Sequence, residues 1–155
     1  MLIPYIITNL FSIGLIYLAY KHPKACILSF AGIFFIAAIV NIILVFKDSD
    51  TYVNGFGPNA YFDFYKSFIY EEFKLRTQLY VLLIAIGQFL ISIFLISRLW
   101  LIFNMGINGG IIFLLAIAPL GVGSAFPASI LMAIAMIMMK RRVVQLEREK
   151  KLKKP

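Results

Sequence analysis

Hydrophobic positions run along this chain in long blocks, and charged ones gather in a few short gaps. Leu2 to Tyr20 is an uncharged apolar run, close to the ~20 residues with which a helix crosses ~30 Å of hydrocarbon. No charge precedes it, and Lys21, His22 and Lys24 follow it. A signal peptide would start with basic residues and end at a small-residue cleavage site. The pattern predicts instead an uncleaved span with its N-terminus outside. A second span is expected over 25–46, with Pro23 in the connector, where a missing N–H is tolerated. A third is expected over 78–97. Arg98 is then the only charge between Arg76 and Lys140, and the 41 residues from Leu99 to Met139 carry none. That is enough for two crossings. The breaker cluster Pro119-Leu-Gly-Val-Gly-Ser-Ala-Phe-Pro127 supplies a turn in the middle, so spans are expected at 99–118 and 121–139. Asn104, Gly106, Asn108, Gly109 and Gly110 weaken the fourth, which keeps a four-crossing arrangement with a kinked or re-entrant segment as the alternative.

Residues 47–76 form the one long polar stretch. It opens as a turn-rich loop with Asp48, Asp50, Asn54, Gly55, Gly57, Pro58 and Asn59. From Ala60 the spacing of Tyr61, Phe64, Tyr65, Phe68 and Leu75 predicts one helix with an aromatic face, capped by Asn59. Asp63, Lys66, Glu71 and Lys74 mostly fall elsewhere. Such a helix lies in the headgroup region with its rings inward. The expected fold is all-α: a polytopic transmembrane helical bundle of five spans (alternative four) plus one interfacial amphipathic helix. Residues 1–139 form the bundle and 140–155 a basic cytoplasmic tail.

Composition strengthens this picture. Hydrophobic residues make up 62% and charged ones 14%, against roughly 45–50% and 25% in soluble domains. Mean hydropathy is +0.92. A water-soluble enzyme of this size needs more polar surface than that. One Cys and one His exclude a disulfide scaffold and a zinc domain. Net charge is 15 − 7 = +8. The tail from Lys140 holds eight Lys/Arg against Glu147 and Glu149, so it supplies 8 − 2 = +6. A basic run directly after a span is a cytoplasmic anchor under the positive-inside rule. It also suits contact with anionic lipid headgroups, and not a nucleic-acid role. Five crossings place the loop 47–76 outside an inner (plasma) membrane. The Lys/Arg distribution alone does not separate five crossings from four.

Candidate chemistry is sparse. No proposed span contains a charged residue, which argues against ion-coupled transport. His22 is the only His, and Cys26 has no resolving thiol. Asp63, Glu71 and Glu72 form the one acidic group with a conceivable acid–base role at the surface, and a solvated face is the simpler reading. No catalytic, metal or cofactor-binding residue is predicted. Gln88 and Ser92 share a helix face at membrane depth. They either bond to a neighbouring helix or line a patch around a bound lipophile. The aromatic crowd over 52–73, including Phe64 and Phe68, is an interfacial belt or the lid of a site for a flat lipophile such as a quinone. Candidate ligand or packing positions are therefore Gln88, Ser92, Phe64, Phe68, Asp63 and Glu71. Gly106 and Gly110, Ser124 and Ala128, and Ser129 and Ala133 place small residues four apart, for packing within the chain or for homo-oligomerisation.

The stretch Tyr80-Val-Leu-Leu-Ile-Ala-Ile-Gly-Gln-Phe-Leu-Ile-Ser-Ile-Phe-Leu-Ile-Ser-Arg98, then a Gly-bearing span and Ile117-Ala-Pro-Leu-Gly121, resembles the second half of DoxX-like small membrane proteins. The resemblance covers 25–139 as pattern, with 2–20 as an extra span. It implies a four-helix membrane bundle, sometimes linked to quinone or thiol redox chemistry, and transfers no catalytic residue. The long connector at 119–127 departs from it. The expected function is a small integral membrane protein, not itself an enzyme, that serves as an accessory or lipophile-binding component for a lipid or quinone. The alternatives are a small oligomeric channel or transporter for neutral solutes, and a membrane-interface enzyme acting on a lipid or quinone.

Overall fold

The computed structural model describes residues 2–124 and 126–152. Ala125 of the breaker cluster and Lys153, Lys154 and Pro155 of the tail lie outside the described residues. The described chain is helical throughout its elements and has no strand. Long helices cover Leu2–Lys21 (α1), Pro23–Lys47 (α2), Thr77–Leu95 (α5), Trp100–Ile117 (α6) and Ala128–Leu152 (α7). Short ones cover Asp50–Phe56 (α3) and Asp63–Phe68 (α4), with a π-helical turn over Ile69–Phe73 and a 3-10 turn over Ala118–Ser124.

The long helices close into a ring. α1 packs on α2 and α7, α2 on α5, α5 on α6, and α6 on α7. The interior of the ring holds Leu15, Phe30, Phe34, Ile107, Met136 and Met139. Cys26 is fully buried, and its thiol lies 3.6 Å from the Leu15 carbonyl. The outer surface is apolar too, with Leu28, Ile36, Ile43, Leu83, Ile86 and Leu101 among the exposed side chains. A chain that buries hydrophobic residues inside and still displays them outside fits hydrocarbon better than water. Among the described residues three segments are long and apolar enough to cross a membrane: Pro23–Lys47, Thr77–Leu95 and Trp100–Val122.

The small residues are used within the chain. A side chain on Gly106 would meet the Leu95 backbone nitrogen at 2.9 Å, and one on Gly110 would meet the Met136 side chain at 2.7 Å. Both glycines are buried. Their face is therefore taken up by α5, α2 and α7 and is not free for a second copy.

Two expectations need correction. The fifth helix begins at Ala128, later than the predicted 121, because Gly121 turns the chain at φ 70° and ψ −142° and Pro127 has no N–H to extend a helix backwards. The Pro127 carbonyl instead accepts from the Ile130 and Leu131 amides. The helix then runs on through the basic tail to Leu152. Its uncharged part, Ala128–Met139, rises only about 18 Å at ~1.5 Å per residue.

The second correction concerns 60–76. The single helix is there, but it starts only at Asp63, widens into a π turn over Ile69–Phe73 and is not capped by Asn59. Phe62 precedes α4 in an extended conformation, and the Asn59 amide donates to the Gly55 carbonyl. A π turn adds a residue to the turn and rotates the face that follows. Ile69 and Phe73, at the two ends of this turn, are the buried anchors, with Tyr52, Val53, Val45 and Val81, while Phe64 before it is 77% and Leu75 after it 79% exposed. The segment folds over the end of the bundle where α2 finishes and α5 starts. There the Tyr61 amide donates to the Pro119 carbonyl (2.9 Å) and the Tyr65 hydroxyl to the Ala116 carbonyl (3.0 Å).

Candidate functional site

Below this cap, three helices bring polar groups to one point inside the ring. Asn41 is on α2, Gln88 on α5, and Tyr52 reaches down from α3. The Asn41 amide donates to Gln88 Oε1 (2.8 Å), and the Tyr52 hydroxyl donates to Asn41 Oδ1 (2.9 Å). Gln88 is buried at 5% exposure. In an apolar interior such groups must find partners, because an unpaired one costs about 1–3 kcal/mol. Burial also raises the Tyr52 phenol above its ordinary value of 10.0, which keeps it a neutral donor.

Two small cavities adjoin the cluster. One, of about 270 Å³, is lined by Asn41, Tyr52 and Gln88 with apolar neighbours. The other, of about 150 Å³, continues past Gln88 to Phe34, Ser129 and Met132. The two share Ala37, Gln88, Phe113, Ile117 and Ser124. Ser129 is 2% exposed, and among the described residues its hydroxyl has no hydrogen-bond partner. With Gln88 Oε1 engaged by Asn41, the Gln88 NH2 group and the Ser129 hydroxyl are donors lining a common space.

An apolar groove of about 610 Å³ lies on the outer side of α5 and α6. Gly87 and Gly109 line it where side chains would fill it, and Phe68, Phe73 and Tyr80 form its upper wall. Phe73 and Tyr80 stack at 5.6 Å, and Phe68 meets Tyr80 edge-on at 5.4 Å. The groove shares Phe56, Ile84, Phe113, Ile117 and Leu120 with the larger inner cavity. Apolar space at the lipid-facing surface thus adjoins polar space at Gln88.

The residues singled out from the sequence separate into three groups. Gln88 lines the two inner cavities and Phe68 the outer groove. Ser92 is buried on the same α5 face, but its hydroxyl donates to the Ala31 carbonyl (2.7 Å) and serves helix packing. Phe64, Asp63 and Glu71 are exposed and line none of these cavities; Asp63 pairs with Lys66 at 3.7 Å. Asn41, Tyr52 and Ser129 were not among the predicted site residues. Asn41 and Ser129 stood in the sequence as polar residues within apolar runs, which was the available signal. Among the described residues no group of His, Cys, Asp and Glu is arranged to hold a metal ion. Comparison of the chain with family models, with curated proteins and with solved structures finds no match in any of the three.

Proposed function

We propose that the chain is a multi-pass protein of the inner (plasma) membrane that binds a neutral, carbonyl-bearing lipophile, a quinone or a lipid ester, in the cavity at Gln88. All five long helices cross the bilayer, the segment 47–76 lies outside and the basic end is cytoplasmic. The ligand enters sideways from the lipid along the α5–α6 groove, and its tail stays there. The observation that carries this reading is the buried, unpartnered Ser129 hydroxyl beside Gln88, in a space that adjoins the groove. Two neutral donors suit a carbonyl oxygen, and the lining holds no charge for an ionic headgroup. It also holds no Asp, Glu, His or Cys, which favours binding over turnover. This agrees with the quinone link that the DoxX-like pattern implies.

A short-tailed benzoquinone titrated onto the detergent-solubilised full chain tests the reading. The melting temperature should rise with quinone concentration, as mass action requires for a ligand of the folded state, and an aliphatic alcohol of equal length should give a smaller rise. Equal rises would reduce the effect to filling of apolar space.

Topology is tested separately. Single cysteines at the exposed Thr51 and Gln145, in a Cys26→Ser background, should divide under an impermeant thiol reagent in intact cells. Thr51→Cys should label and Gln145→Cys should not, because a cluster of Lys/Arg resists translocation. The opposite pattern would invert the orientation, and protection of both would support four crossings.

A further inference from the structure

The basic end of the bundle carries two neighbouring grooves that meet at Val144 and Arg148 of α7. The first, of about 580 Å³, is bounded by Lys140, Arg141 and Arg148, with Asn108 of α6 beside them and no acid in its lining. The second, of about 640 Å³, is bounded by Arg98, Arg148 and Lys151, with Trp100 and Phe103 as its apolar side. Glu147 also lines it but is engaged by Lys150 at 3.2 Å. Arg148 belongs to both grooves. Among the described residues, none of these five cations has a carboxylate partner.

Their depth is the second observation. Lys140 Nζ donates to Asn108 Oδ1 at 3.0 Å, and Asn108 stands midway along α6 (Trp100–Ile117). α6 displays Leu101 at 73% exposure, Met105 at 53% and Trp100 at 50% at this end. Cations are therefore held beside an apolar, outward-facing surface and not on a freely solvated tail. The short apolar part of α7 has the same consequence in the five-crossing arrangement proposed above: Ala128–Met139 is too short to clear the hydrocarbon, so the first basic turns that follow it lie within the headgroup layer. A soluble anion or a nucleic acid would meet the charges and leave the neighbouring apolar surface uncovered. A phospholipid covers both.

We propose that the two grooves form a binding site for an anionic phospholipid. Its phosphate sits between Arg148 and the flanking cations, and its acyl chains lie along Leu101 and Met105 of α6. This site is separate from the Gln88 cavity, and neither depends on the other.

Native mass spectrometry of the full chain in a neutral detergent, titrated with phosphatidylglycerol, tests it. A cation near a lipid phosphate is worth enough that removing one weakens binding about fivefold. Arg148→Gln should show that loss, Arg148→Lys should recover most of it, and phosphatidylcholine with the same acyl chains should bind more weakly than phosphatidylglycerol. Lys24→Gln removes the same charge from the same end of the bundle, at an exposed position outside both grooves, and should change little. Equal losses for Arg148→Gln and Lys24→Gln would overturn the proposal in favour of a diffuse positive field. Displacement of the lipid by equimolar inorganic phosphate, or tighter binding of a short oligonucleotide, would also overturn it.

Discussion

Gly121→Ala should cost the folded protein about 3 kcal/mol or more, through two effects that add at one position. Gly121 has φ 70° and ψ −142°, a region that residues with a side chain occupy at about 1–3 kcal/mol. An added Cβ would also run into the carbonyl of Asn59, where the segment 57–61 lies against the α6–α7 turn. The Tyr61–Pro119 and Tyr65–Ala116 bonds fix the cap beside that contact, so they should loosen with it. A thermal melt in detergent reads the first effect, and hydrogen exchange at the Tyr61 amide reads the second. An unchanged melt would mean that the turn relaxes freely and that the cap is not docked on it.

Gln88→Leu should separate binding from stability. The substitution leaves the Asn41 amide without its acceptor, which costs about 1 kcal/mol by the averages for interhelical bonds in membranes. Loss of a paired donor at a buried carbonyl should weaken quinone binding about tenfold. Ser129→Ala should move the two readouts in opposite directions. It removes an unpartnered buried hydroxyl, so stability should hold or rise by about 1 kcal/mol, while quinone binding falls. A loss of stability without a loss of binding, in either variant, would return Gln88 and Ser129 to helix packing alone.

Much of the fold was legible because hydrocarbon imposes a single strong pattern. Uncharged stretches long enough for a helix became helices, with ends set by Pro23, Arg98 and the Pro119–Pro127 breakers. The parts that were not legible depend on rotation and register. The 3.6-residue stripe through Phe64, Phe68 and Leu75 is not the buried side, which Ile69 and Phe73, at the two ends of the π turn, take instead. The site was half legible. Gln88 was visible as an amide at membrane depth, but its partners come from α2 and α3, and Ser129 lies on α7 near a turn whose end was placed seven residues too early. Which polar residues meet across a ring of helices depends on how each helix is turned about its axis, and apolar runs that face lipid and core alike carry little of that information.

Phe113 offers the most direct view of the cavity, because it lines the groove and both inner cavities. Replacing it with the photoreactive p-benzoylphenylalanine places a crosslinking group where the ligand is expected. Irradiation of membranes, followed by mass spectrometry of the adduct, identifies what was there. The account predicts a carbonyl-bearing neutral lipophile enriched over bulk lipid, with yield reduced by Gln88→Leu. The same probe at Ile36, which faces outward on α2 and lines no cavity or groove, should capture bulk phospholipid. Identical adducts at 113 and 36, insensitive to Gln88→Leu, would contradict the account.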